Sequence, residues 1–142
     1  MIVVARPPNI DSILAAFPKA DQPGVLFAFD GCVYNPSGLE IPWALVEHEN
    51  VHLRRQREIS SPDQRTGAEV WWDRYLRDPE FRYHEELLAH AAEYRAQAVG
   101  DRNFCAGLLV RTALRLIAPL YAYEPPRTMA QAMKDLKQEI GR

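Results

Sequence analysis

His48-Glu49-Asn50-Val51-His52 places two imidazoles and a carboxylate where one helix can use all three together. Residues four apart stack on one helical face, so both imidazoles can reach a single cation while Glu49 stands beside it. Imidazole nitrogen suits zinc, which prefers four ligands in a tetrahedron and at a catalytic centre keeps one position for water. Zinc lowers the pKa of that water toward neutrality, and a carboxylate such as Glu49 can take its proton as the water attacks a carbonyl. The pattern therefore predicts a metal site at His48 and His52, with Zn2+ as the expected ion and Glu49 as general base. The chain has 4 His, and no other pair combines this spacing with an adjacent Glu.

A third ligand is required. Leu53-Arg54-Arg55-Gln56-Arg57 follows the second His and contains no further His, so a downstream carboxylate is expected. Glu85-Glu86-Leu87-Leu88-Ala89-His90 and Glu93 lie on a later helical stretch that could cross the first. Glu86 and Glu93 are seven residues apart and share nearly one face, whereas Glu85 is turned by about 100° from Glu86. Ala89, a small residue three positions after Glu86, would allow the two backbones to approach closely. His84 and His90 are read as surface groups unless one faces the metal, in which case it could donate to a developing oxyanion. His90 is the better placed of the two.

The pair His48-Glu49-x-x-His52 and Glu86-Leu87-Leu88-Ala89-His90 resembles the gluzincin arrangement, in which a Glu on a later helix completes the site. Leu26-Phe27-Ala28, Tyr34-Asn35-Pro36, Trp71-Trp72-x-x-Tyr75, Phe81-Arg82 and Pro119-Leu120-Tyr121 further resemble small metallopeptidases encoded by bacteriophages, over about residues 25 to 121. The resemblance implies a zincin-like fold, hydrolysis of peptide bonds, and a protein or peptide substrate. It also selects Glu86, the residue that the small Ala89 favours, so Glu86 is assigned as the third ligand with Glu85 in reserve and Glu93 third, and it implies location in a host cytoplasm or a virion. Where many gluzincins carry Asp four residues after the ligand Glu, this chain has His90. Two other functions fit the same residues: a non-catalytic phage structural or assembly protein with an assembly partner, and a regulatory protease with one dedicated substrate.

The elements that must position these groups are marked by local signals. Asp11 can cap a short helix from Ser12 to about Phe17. Val25 to Phe29, Asp30-Gly31 and Cys32 to Tyr34 read as a hairpin. Pro42 starts a helix from Trp43 to about Ile59, and Ser60-Ser61-Pro62-Asp63 with Gly67 marks the loop that ends it. Glu69 to Leu76 is a short helix whose Trp71, Trp72 and Tyr75 are expected to pack as core over the hairpin. Asp78-Pro79-Glu80 starts the helix that carries Glu85, Glu86 and Glu93, with Gly100 as its stop. On that helix Glu85, Glu93 and Arg95 are expected to pair with one another as solvated charges. Asp101 caps a helix to about Ile117, and Thr128-x-x-Gln131 forms a capping box for a last one to Ile140. The sum is one domain over residues 1–142, a mainly helical α+β fold with a small antiparallel sheet packed on the HExxH helix.

Composition sets outer bounds. With 142 residues, 47% hydrophobic and 25% charged, the chain can bury a core of its own. A formal net charge of -2 provides no general attraction to phosphate backbones, so nucleic acid is not an expected partner. Arg111 and Arg115 interrupt the longest apolar stretches, no membrane span is expected, and the N-terminus lacks the pattern of a secretory signal. A cytoplasmic protein is expected. Cys32 and Cys105 have no metal-like spacing and read as isolated thiols.

Overall fold

A computed structural model describes residues 1–61 and 63–142. Pro62, assigned above to the loop after the HExxH helix, lies outside the described residues. Three short strands, β1 (Ile2–Val3), β2 (Phe27–Phe29) and β3 (Cys32–Tyr34), form a sheet in the order β1-β3-β2. Asp30 and Gly31 both take positive φ, 45° and 84°, as a two-residue type I′ turn requires, so β2 and β3 pair antiparallel with Ala28 opposite Val33. The sheet is nevertheless mixed rather than purely antiparallel. β1 runs parallel to β3, and Val33 N–H and Asn35 N–H donate to the carbonyls of Met1 and Val3, each at 2.8 Å. Ile2-Val3 is too short to announce a strand by alternation, and its partner lies some thirty residues away.

Six helices follow among the described residues: α1 (Ile10–Ala16), α2 (Trp43–Glu58), α3 (Gly67–Arg77), α4 (Pro79–Gln97), α5 (Arg102–Leu116) and α6 (Met129–Ile140). Asp11 is not the cap of α1. It lies in the first turn, and Asn9 occupies the cap position without a side-chain bond. Asp78 and Asp101 do cap α4 and α5, through bonds from Glu80 N–H, Phe81 N–H and Phe104 N–H at 3.0, 3.1 and 2.8 Å. Thr128 caps α6, but Gln131 turns its amide to Asp135, so half of the expected capping box forms. α3 begins two residues before Glu69 because Thr66 supplies the cap. A Cβ on Gly67 would lie 2.1 Å from the carbonyl oxygen of Gln56, so glycine alone lets α3 start against the end of α2.

Trp71, Trp72 and Tyr75 join Ile13, Phe17, Ala20 and Phe27 in one apolar cluster. Trp72 also donates its indole N–H to the Ala28 carbonyl at 2.8 Å, tying α3 onto the hairpin. A second cluster, containing Tyr83, Ala91, Ala113, Leu116, Tyr123, Ala132 and Leu136, joins α4, α5 and α6. The segment Arg102–Tyr121 is long and apolar enough to cross a bilayer by composition, although α5 packs Leu108, Thr112, Ala113 and Leu116 inward. Cys32 and Cys105 are free and half-buried. The most extensive helix contact is between α2 and α4, and the candidate site lies at that crossing.

Candidate metal centre

His48 and His52 project from successive turns of α2 and are both buried. Their Nε2 atoms lie 3.2 Å apart. Across the crossing, Glu86 of α4 brings Oε2 to 3.2 Å from His48 Nε2 and Oε1 to 3.3 Å from His52 Nε2. Zinc–ligand bonds of about 2.0–2.1 Å place tetrahedral ligand atoms about 3.3–3.4 Å apart, so these separations match edges of such a tetrahedron.

Glu93 lies one face-repeat beyond Glu86, and its Oε2 is 3.1 Å from His48 Nδ1. A carboxylate only accepts, so His48 carries its proton on Nδ1 and turns the Nε2 lone pair toward Glu86 and His52. A neutral His48 therefore offers Glu86 no proton of its own, and a proton or a cation held among these atoms relieves the repulsion between acceptors. Glu86 Oε2 is buried without a hydrogen-bond partner among the described residues, as is His52 Nδ1. Glu86 Oε1 accepts from the Tyr75 hydroxyl at 2.5 Å. Buried His48, His52 and Glu86 could hold a metal ion, and His48, His90 and Glu93 form a second group within similar reach. Arg115 pairs with Glu93 in that second group, which opposes a cation there. Three carboxylates, Glu49, Glu86 and Glu93, face one guanidinium around the whole site, a balance that suits a divalent cation.

The electrostatics follow from burial opposed by neighbours. Burial pushes the Glu86 carboxyl up, but His52 and His48 outweigh it and hold the group well below the usual carboxylate range. Burial pushes His48 down, while the hydrogen bond and charge of Glu86 with the charge of Glu49 raise it overall. Burial pushes Glu49 up, and the two imidazoles only partly offset this. The field that attracts a proton to His48 would attract a metal to the same place, so the two compete.

The other carboxylates of α4 are placed differently from the sequence expectation. Glu85 faces away from the imidazoles and accepts from Arg55 Nε and Nη2, with distances of 3.0 to 3.2 Å. Neither Glu85 nor Glu93 is a solvated charge, since both are 0% exposed, and neither pairs with Arg95. Arg95 instead donates to the Glu139 carbonyl on α6. His84 is exposed, as expected of a surface group. His90 is not a surface group: it is 1% exposed, with its ring centroid 4.5 Å from that of His48. Its Nε2 lies 3.1 Å from the Tyr121 hydroxyl, and burial with the nearby His48 pushes its pKa well down.

Tyr75, Tyr121, Arg115 and Glu93 are the site residues that sequence reasoning missed or misassigned. Glu86, His90 and Glu93 at intervals of four and three did offer a signal, because one face of α4 carries ionisable groups where a core face was needed. Arg82 holds the tyrosines in place. It is 3% exposed and donates to the carbonyls of Tyr75, Tyr121 and Ala122 at 2.7, 2.8 and 3.1 Å. Beside the imidazoles opens a cavity of about 290 Å3 that reaches Glu49, Tyr121 and the apolar cluster under α3. No family model, curated protein or solved structure matches this chain.

Proposed function

We propose that the chain is a zinc-dependent metallopeptidase of the gluzincin type, with His48, His52 and Glu86 as ligands and Glu49 as general base. The observation that carries this reading is the convergence of His48 Nε2, His52 Nε2 and the Glu86 carboxylate at 3.2–3.3 Å, beside a cavity that Glu49 also lines. The zincin fold, the zinc ion and the peptide substrate belong to the same proposal.

When bound, zinc supplies a Lewis acid that polarises a carbonyl and acidifies water. Glu93 holds His48 by Nδ1, a device that orients a ligating imidazole and makes it more basic. Tyr75 holds Glu86 by Oε1 in the same way. Glu49 accepts the proton of the attacking water and returns it to the leaving amine. The group presented to the charge developing on the scissile carbonyl is the Tyr121 hydroxyl. His90 lines the same cavity with its Nε2 3.1 Å from that hydroxyl, and shares this position with Tyr121.

The test has two parts. The purified chain should take up one zinc per molecule and cleave an unfolded protein such as casein. Glu49→Gln should keep the metal and lose cleavage, because the amide preserves size and removes the base. Failure to take up metal, or an active Glu49→Gln protein, would reject the mechanism.

A further inference from the structure

α5 is apolar on the side it buries and also on the side it leaves open. Leu108, Thr112, Ala113 and Leu116 face the core. At about 100° per residue, the opposite face holds Ala106, Gly107, Val110 and Leu114, with Asn103 as its polar member. Val110 is 42% exposed and Leu114 55%, and at the N-terminal end Phe104 and Val99 add side chains that are 45% and 75% exposed. Four of the nine exposed large apolar residues thus fall between positions 99 and 114, a cluster rather than scattered singles. A helix face turned to water is normally polar, and a clustered apolar one marks a contact surface.

The chemistry of the partner follows from the charges. α5 carries Arg102, Arg111 and Arg115 and no acidic residue, in a chain whose formal net charge is -2. Arg115 pairs with the buried Glu93. Arg102 and Arg111 are exposed, and they stand about 90° to either side of the apolar face. Pairing this face with its own copy would bring arginine toward arginine, which disfavours a self-contact. A surface that is anionic outside and apolar beneath complements it on both counts, and a bilayer containing anionic lipid has that layering. An arginine stem can lie along apolar surface while its guanidinium stays at the headgroups. Arg111 already lies back along the helix, its Nη1 3.3 Å from the position a Cβ on Gly107 would take.

We propose that the outer face of α5 docks on the surface of an anionic lipid bilayer. Phe104, Val110 and Leu114 enter the headgroup boundary, and Arg102 and Arg111 reach the phosphates. The chain rests on the bilayer and does not cross it, because the inner face of α5 is packed against α4 and α6.

The test is co-sedimentation of the full chain with vesicles of phosphatidylcholine, and with vesicles of equal parts phosphatidylcholine and phosphatidylglycerol. Partition should be about 25-fold stronger on the mixed vesicles, because each arginine at an anionic surface contributes about fivefold, and added salt should release the chain. Arg102→Gln combined with Arg111→Gln should remove that preference. Leu114→Ser, at an exposed position that tolerates the change, should weaken binding by about tenfold or more. Trp43→Ser, which alters an exposed aromatic on α2, should leave binding as it is. Absence of binding, equal binding to the two vesicles, or a double variant that keeps the preference would each overturn the proposal, as would an equal loss in Trp43→Ser. A chain that ignores vesicles but sediments as a dimer, and becomes monomeric with Leu114→Ser, would assign the face to a second copy instead.

Discussion

α4 is buried on two sides that differ in what they bury. Toward α2 and α3 it presents Glu86, His90 and Glu93 to His48, His52 and Tyr75, and Arg115 reaches Glu93 from α5. Toward α5 and α6 it presents Tyr83 and Ala91 to Ala113, Leu116, Ala132 and Leu136. The second side is held by transfer of apolar surface from water and by close packing of small residues, and it needs no particular partner for each atom. The first side cannot be held that way, because every buried charge there requires a partner of the right kind and position. The contrast assigns stability mainly to the α4–α5–α6 cluster and chemistry to the α2–α4 crossing. Changes on one side should therefore be readable without large changes on the other.

Glu86→Ala tests the contrast most severely. Its zinc dissociation constant should rise by more than about 100-fold, because even partners that only orient a ligand cost about 10–100-fold. Competition with a chromogenic chelator would measure it, and parent-like affinity would move the third ligand elsewhere. Glu85→Ala, one residue away, should keep parent-like metal affinity, since Arg55 holds that carboxylate on the other side of the helix.

Leu136→Ala is the reciprocal experiment in the apolar cluster. Leu136 is 0% exposed, so its truncation should destabilise the protein by about 2–5 kcal/mol in urea unfolding. Zinc affinity of the folded variant should stay unchanged. A matching loss of affinity would show that the two sides of α4 are coupled.

Glu93→Gln should weaken zinc by about 10–100-fold, less than Glu86→Ala, because it disturbs the support of His48 and not the ligand itself. Parent-like affinity would mean that His48 is oriented by its packing alone.

The smallest effect belongs to neither side. Hydrogen bonds from Phe81 N–H and Glu80 N–H hold the Asp78 carboxyl below its usual range. A depressed pKa gives stability that is present above the unfolded value and is lost as pH falls through the folded one. Asp78→Ala should lower Tm at neutral pH, and the gap to the parent should narrow as pH falls through the carboxylate range, below about pH 4. A gap that stays constant down to acid pH would show that the charge of the cap is not what matters.

Local features were legible in the chain because their causes lie within a few residues. His48 and His52 share a face through the helical repeat alone, Asp78, Asp101 and Thr128 cap their helices through the next three residues, and Asp30-Gly31 dictates its turn. The choice among carboxylates was different. Glu85 and Glu86 are adjacent and chemically identical, and what separates them is the rotation of α4 against α2, recorded in the Arg55 pairing 30 residues away. The role of Glu93 rests on a contact 45 residues distant, and that of His90 on Tyr121, 31 residues further along the chain. β1 escaped notice for the same reason, since two residues become a strand only when β3 lies beside them. By itself the sequence determined that two imidazoles and a carboxylate would stand together on one helix. Only the tertiary structure decided which Glu faces them, because side chains from distant segments meet at angles set by the packing of whole helices rather than by spacing along the chain.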